Sequence, residues 1–299
     1  MLIIEFNLNN NMIDPEFFEQ LKRFSFLVKK RVSSVYAGGR KSKTHGQGIE
    51  TIDYREYFPG DDIKAIDWKI YGRTERLHIR RFEEEKTLTT HILIDSSKSM
   101  DFSTSGIMKK FDYGAMIAAG FMYMVVKENE KFGMATYTTE LGNIIQPKKG
   151  MNHFFNAVSL LNNIKLRGKT NLGICAEQYA KTIKTKPLIV VISDFLEDFE
   201  SIREGIYRIS KSSNDVIVIH VADPGELNLW VEGDLKLHDL ETMAQKRLYI
   251  SPGFKERYKK RHENHIFKIR ECCDDVRAQF YSVRTDRKIF ETFLDIISV

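Results

Sequence analysis

The stretch Ile92-Leu93-Ile94-Asp95-Ser96-Ser97-Lys98-Ser99-Met100 constrains the fold more than any other part of the chain. An apolar run with no polar alternation reads as a strand buried on both faces, inside a parallel sheet covered by helices. Two more such runs follow, residues 188–193 (LIVVIS), which end at Asp194, and residues 216–221 (VIVIHV). Helical patterns separate them. Residues 110–127 are apolar on nearly every side, as a helix pressed against a sheet must be. Residues 152–163, a segment opening at Thr170 and running to 184, and residues 201–211 also read as helices. Alternation of this kind predicts an α/β fold with a doubly wound, mostly parallel sheet.

The carboxyl ends of such strands open into the crevice where ligands bind. Asp95, Ser97 and Ser99 sit on the first strand-end loop, and Thr170 and Asp194 lie on two later ones. Carboxylates and hydroxyls are hard oxygen ligands of the kind magnesium takes. The alternative is that Asp95 and the serines only cap the next helix, since all are good N-cap residues.

The pattern Asp-x-Ser-x-Ser, then Gly168-Lys169-Thr170-Asn171 at a helix start, then an aspartate after a buried strand resembles the metal-ion-dependent adhesion site of von Willebrand factor type A domains. The resemblance implies Asp95, Ser97, Ser99, Thr170 and Asp194 as the ligand set and Mg2+ or Mn2+ as the ion. It also implies an open coordination position for an acidic residue from a client protein. Upstream, Arg55-Glu56-Tyr57-x-Pro59-Gly60-Asp61-Asp62-Ile63-Lys64-x-Ile66-Asp67-Trp68 is similar to the hallmark of the bacterial family called domain of unknown function fifty-eight. Lys64 stands where arginine is usual and Gly72 where alanine is common. That family implies a MoxR-type AAA+ ATPase as partner, in complexes that act as chaperones for maturing other proteins or metal centres.

Three segments are expected: residues 1–48, an N-terminal helix and mobile loop; 49–87, the family-specific block; and 88–299, the type A-like domain. In the first, Asp14-Pro15 opens an amphipathic helix over 15–32, and residues 38–48 (GGRKSKTHGQG) read as a loop. In the second, Pro59-Gly60 marks a type II turn. The block is either a docking surface or a small subdomain pinned by ion pairs of Arg55 with Asp61 or Asp67. In the third, extended patches at 235–237 and 248–250 suggest a hairpin on the sheet's rim. A basic helix over 252–271, a strand over 278–283 and a helix over 286–297 close the chain.

Enzymatic readings fail on spacing. The leading glycine of a phosphate-binding loop before Lys169-Thr170 falls on Asn163, and no Gly-x-Ser-x-Gly elbow occurs. His262-Glu263-Asn264-His265 is one residue short of the zinc protease spacing. A magnesium-dependent phosphoesterase is the one enzymatic alternative, and a non-catalytic, metal-dependent protein-interaction module is the expectation. The net charge of +5 demands no anionic partner. The basic helix lacks a stacking platform, so no nucleic acid is expected. The three cysteines make no disulfide framework, and no apolar stretch reaches the roughly 20 residues of a membrane span. A cytoplasmic location without membrane span is therefore expected.

Overall fold

The computed structural model describes residues 15–23, 45–83, 89–104, 106, 108–227, 233–238 and 245–297. The chain divides into two compact units, one spanning residues 36–87 and the other the rest.

The larger unit is built on a six-stranded sheet. Its strands are β3 (Thr89–Asp95), β4 (Lys131–Tyr137), β5 (Leu141–Lys148), β6 (Leu188–Ser193), β7 (Asp215–Ala222) and β10 (Gln279–Arg284). Their order is β10-β7-β6-β3-β4-β5, parallel throughout except for β5, which runs antiparallel to β4 at one edge. The winding direction reverses between β3 and β6, so the switch-point crevice opens beyond Asp95 and Ser193. This is the doubly wound α/β architecture that the buried runs predict.

Helices cover both faces. The helix Lys110–Lys127 (α3) packs so closely on one face that Gly114 meets Ile192 and Val221. On the other face Leu93, Val191 and Val218 pack with residues of α5 (Leu172–Ala180), α6 (Phe199–Ser212) and α8 (Pro252–Asp275). The three cysteines are buried free thiols, two of them on α8. α1 (Pro15–Arg23) belongs to this unit and buries Phe17 and Leu21. Phe17 meets Phe293 of the last helix, α9 (Ile289–Ile297), edge-on at 5.7 Å. Phe293 in turn meets Phe121 of α3 at 5.3 Å. Phe18 packs against Tyr123 and against Phe154 of α4 (Met151–Asn162). The expected continuation of α1 to residue 32 lies outside the described residues.

Some expectations need correction. α5 ends at Ala180, not 184, because Thr182 and Ile183 turn back in three-residue steps onto Tyr179 and Ala180. α9 starts at Ile289, not 286, since Asp286 is held by a two-pronged contact from Arg284. The patches at 235–237 and 248–250 do pair, but β8 (Gly233–His238) and β9 (Gln245–Ile250) form a separate two-stranded sheet.

In the smaller unit β1 (His45–Glu56) pairs antiparallel with β2 (His78–Glu83). Residues 45–48, expected in a loop, thus belong to a strand; residues 38–44 lie outside the described set. Phe58 accepts from the Asp61 N–H and Gly60 has φ +109°, the turn geometry that Pro-Gly encodes. Of the two candidate pairs, Arg55 takes Asp61 through both guanidinium arms at 2.7 and 2.8 Å, which raises the arginine and lowers the aspartate from their ordinary pKa values. Asp67 instead caps the short helix α2 (Trp68–Thr74), accepting from Lys69 and Ile70. Ile66 and Ile79 are buried here, whereas Phe58, Ile63 and Trp68 are each about 60% exposed.

His91 on β3 is buried and bonded to the Tyr179 hydroxyl at 2.7 Å. Burial lowers its pKa from 6.5 to about 4. The unfolded chain therefore takes up this proton first, and stability falls as pH drops from 6.5 toward 4. His91→Gln removes that term, so its stability deficit relative to wild type should shrink by about 2 kcal/mol between pH 7.5 and pH 5. Urea titrations at the two pH values check this; a constant gap would show that His91 titrates normally.

Candidate functional site

Three loops meet at the carboxyl ends of β3 and β6. Backbone bonds tie the first to the second: Lys98 N–H to Gly168 O at 2.9 Å and Arg167 N–H to Ser96 O at 3.1 Å. Glu197, on the third, accepts from the Leu172 N–H and from Ser201 Oγ, holding the start of α5 against the loop after β6. Asp95, Ser97, Ser99, Thr170 and Asp194 are all buried, with Ser99 and Thr170 least so at 8% exposure. The aspartates and Ser97 are thus the more deeply buried, and Ser99 and Thr170 reach slightly nearer the surface.

Asp95 accepts the Ser97 N–H in the manner of a local cap, but the serine and threonine hydroxyls do not cap the helical segments that follow them. Ser97 precedes a 3-10 turn (Lys98–Asp101) but makes no side-chain cap bond. Its Oγ lies 2.9 Å from Ser99 Oγ instead. α5 is capped by Asn171, not by Thr170. The Thr170 hydroxyl is buried and has no hydrogen-bond partner among the described residues. Hydroxyls in such positions cost free energy unless something binds them.

The two carboxylates differ in their surroundings. Asp95 accepts from the Ser97 N–H at 2.8 Å and from Ser193 Oγ at 2.6 Å, both neutral donors. Burial, then the nearby charge of Asp194, push its carboxyl up to about 7. Asp194 accepts from the Leu196 N–H at 3.2 Å and from Lys110 Nζ at 2.7 Å. Lys110 is wholly buried at the first position of α3 and also contacts Glu226, which follows β7 in the helical turn α7 (Pro224–Leu227). Burial lowers its pKa, but the Asp194 and Glu226 charges outweigh that and keep the ammonium above its ordinary value.

The residues fit a magnesium-type ion. Two neighbouring hydroxyls and an unpartnered third offer direct oxygen ligands, and an under-compensated carboxylate offers charge. Among the described residues no three His, Cys, Asp or Glu side chains gather as a closed centre of those types would need. Sequence reasoning missed Lys110, Glu226 and Ser193. Lys110 did leave a signal: a lysine opening a buried helix faces the positive end of the helix dipole and needs an anion beside it.

Among the described residues no helix is long and apolar enough to cross a membrane. An uncharacterised protein of Mycobacterium tuberculosis is 24% identical over 283 residues, 94% of this chain and 88% of its own length. Among solved structures, the conserved hypothetical protein BatB from Bacteroides thetaiotaomicron is 14% identical with a TM-score of 0.42, covering 71% of this chain and 96% of that one. The SpRpn10 VWA domain is 15% identical with a TM-score of 0.43, covering 70% and 94%. The model for "Protein of unknown function DUF58" matches residues 53–267. With that match over most of its length, the chain belongs to the DUF58 family, and its larger unit is built on a six-stranded, doubly wound α/β sheet.

Proposed function

We propose that the larger unit is a metal-dependent protein-interaction module. One magnesium or manganese ion would be held by the Ser97, Ser99 and Thr170 hydroxyls, with Asp95 and Asp194 supplying negative charge. Bound there, the ion supplies a Lewis-acidic position for a carboxylate from a protein partner. The observation that carries this reading is the buried, unpartnered Thr170 hydroxyl on a loop bonded to the one that presents Ser97 and Ser99. The DUF58 resemblance adds the partner class, a MoxR-type AAA+ ATPase, with a client protein supplying the acidic residue. No specific observation favours the phosphoesterase alternative.

Calorimetry with Mn2+ and with Mg2+ should show one ion bound per chain; no binding at millimolar metal would overturn the site. Co-purification of the ATPase should require the ion, be lost in chelator and fall in Ser99→Ala. Equal recovery with and without chelator would mean that contact runs elsewhere.

A further inference from the structure

Lys110 is the feature that the metal reading leaves unexplained. Its side chain has no solvent exposure, and its ammonium lies 2.7 Å from Asp194 and 2.5 Å from Glu226, with the Phe102 ring 5.7 Å away. A charge buried this deeply persists only if it is paired. The pairing is uneven across the crevice, since Asp194 is neutralised and Asp95 is not. Asp194 and Glu226 both lie against Lys110, the one wholly buried cation among the described residues, and Asp95 beside them has no cation within ion-pair distance among those residues. Glu226 is itself anchored: it accepts from the Asp223 N–H, and Asp223 accepts from the Thr104 N–H and hydroxyl in the loop after Ser99. The ammonium is thus a built part of the crevice wall.

We propose that Lys110 is the specificity-determining counter-charge of the site: it shares the Asp194 carboxylate with the bound ion, limits its affinity, and disfavours ions of higher charge. This rests on the metal-site reading above. It makes a prediction that a merely structural lysine would not. Removing the ammonium leaves one more uncompensated negative charge, so cations should bind more tightly, and a trivalent ion should gain more than a divalent one. A lysine that only shaped the crevice would, on removal, weaken both.

The test is calorimetry of the full chain with Mn2+ and with Tb3+, comparing wild type with Lys110→Met. Mn2+ should bind the variant at least about tenfold more tightly, and the Tb3+ gain should exceed the Mn2+ gain. Unchanged or weaker Mn2+ binding in the variant, with wild-type binding intact, overturns the role of Lys110 and leaves the metal site standing. No binding of either ion to either protein removes both. Should Lys110→Met not fold in chelator, Glu226→Gln carries the test, because it leaves Lys110 to Asp194 alone. Mn2+ should then bind about tenfold more weakly than to wild type. Unchanged or tighter binding overturns the proposal.

Discussion

Asp95→Asn is expected to abolish the thermal response to divalent ions while melting no lower than wild type in chelator. With metal a hundredfold above its Kd, binding stabilises the wild type by about 2.7 kcal/mol. For a domain of this size that corresponds to a Tm rise of about 5–10 °C. Asparagine keeps the shape of Asp95: one atom still accepts from the Ser97 N–H and the other still meets Ser193 Oγ. What it removes is a buried negative charge disfavoured by burial and by Asp194. The metal-free fold therefore loses little or gains, and the bound ion loses its uncompensated carboxylate. Scanning calorimetry of both proteins, with Mn2+ and with chelator, measures the two effects separately. A variant that keeps the wild-type rise would place the ion away from Asp95.

Phe293→Ala should be the most damaging single truncation in the larger unit, costing about 3–5 kcal/mol. The ring is fully buried and makes edge contacts with both Phe17 and Phe121. It also lies directly on the α3 backbone, where a Cβ on Gly120 would come within 2.7 Å of it. Because Gly120 has no side chain to swing into the gap, the cavity cannot refill from that side, which favours the upper part of the range. Urea unfolding should show a lower midpoint with an unchanged slope. A loss under about 1 kcal/mol would mean that α9 repacks freely, contrary to the close approach at Gly120.

The central strands were legible in the sequence because burial on both faces leaves no polar alternation. The centres of β3, β6 and β7 are therefore written as consecutive apolar residues, at 92–94, 188–192 and 216–219. The helix at residues 110–127 was readable to the residue for the same reason. What escaped were features set by contacts distant in sequence. The pairing of Lys110 with Asp194 and Glu226 spans 84 and 116 residues, and no local pattern records it. Residues 45–48 look like a loop because of their glycines, yet they lie in a strand defined by its partner β2. For the candidate site, residue types and spacing identified oxygen donors at strand ends. They could not show which hydroxyls would cap a helix, since Ser and Thr serve either purpose and only the fold decides.

The ring contacts of α1 bear on how the last helix is held in place. Phe293 is gripped from two sides, by Phe17 on α1 and Phe121 on α3. A slide of α9 by one helical turn, about 5.4 Å, would break both grips at once. The two contacts hold the last helix in one position along its axis. A shift of α9 that kept the Phe17 contact would instead carry Pro15–Arg23 with it.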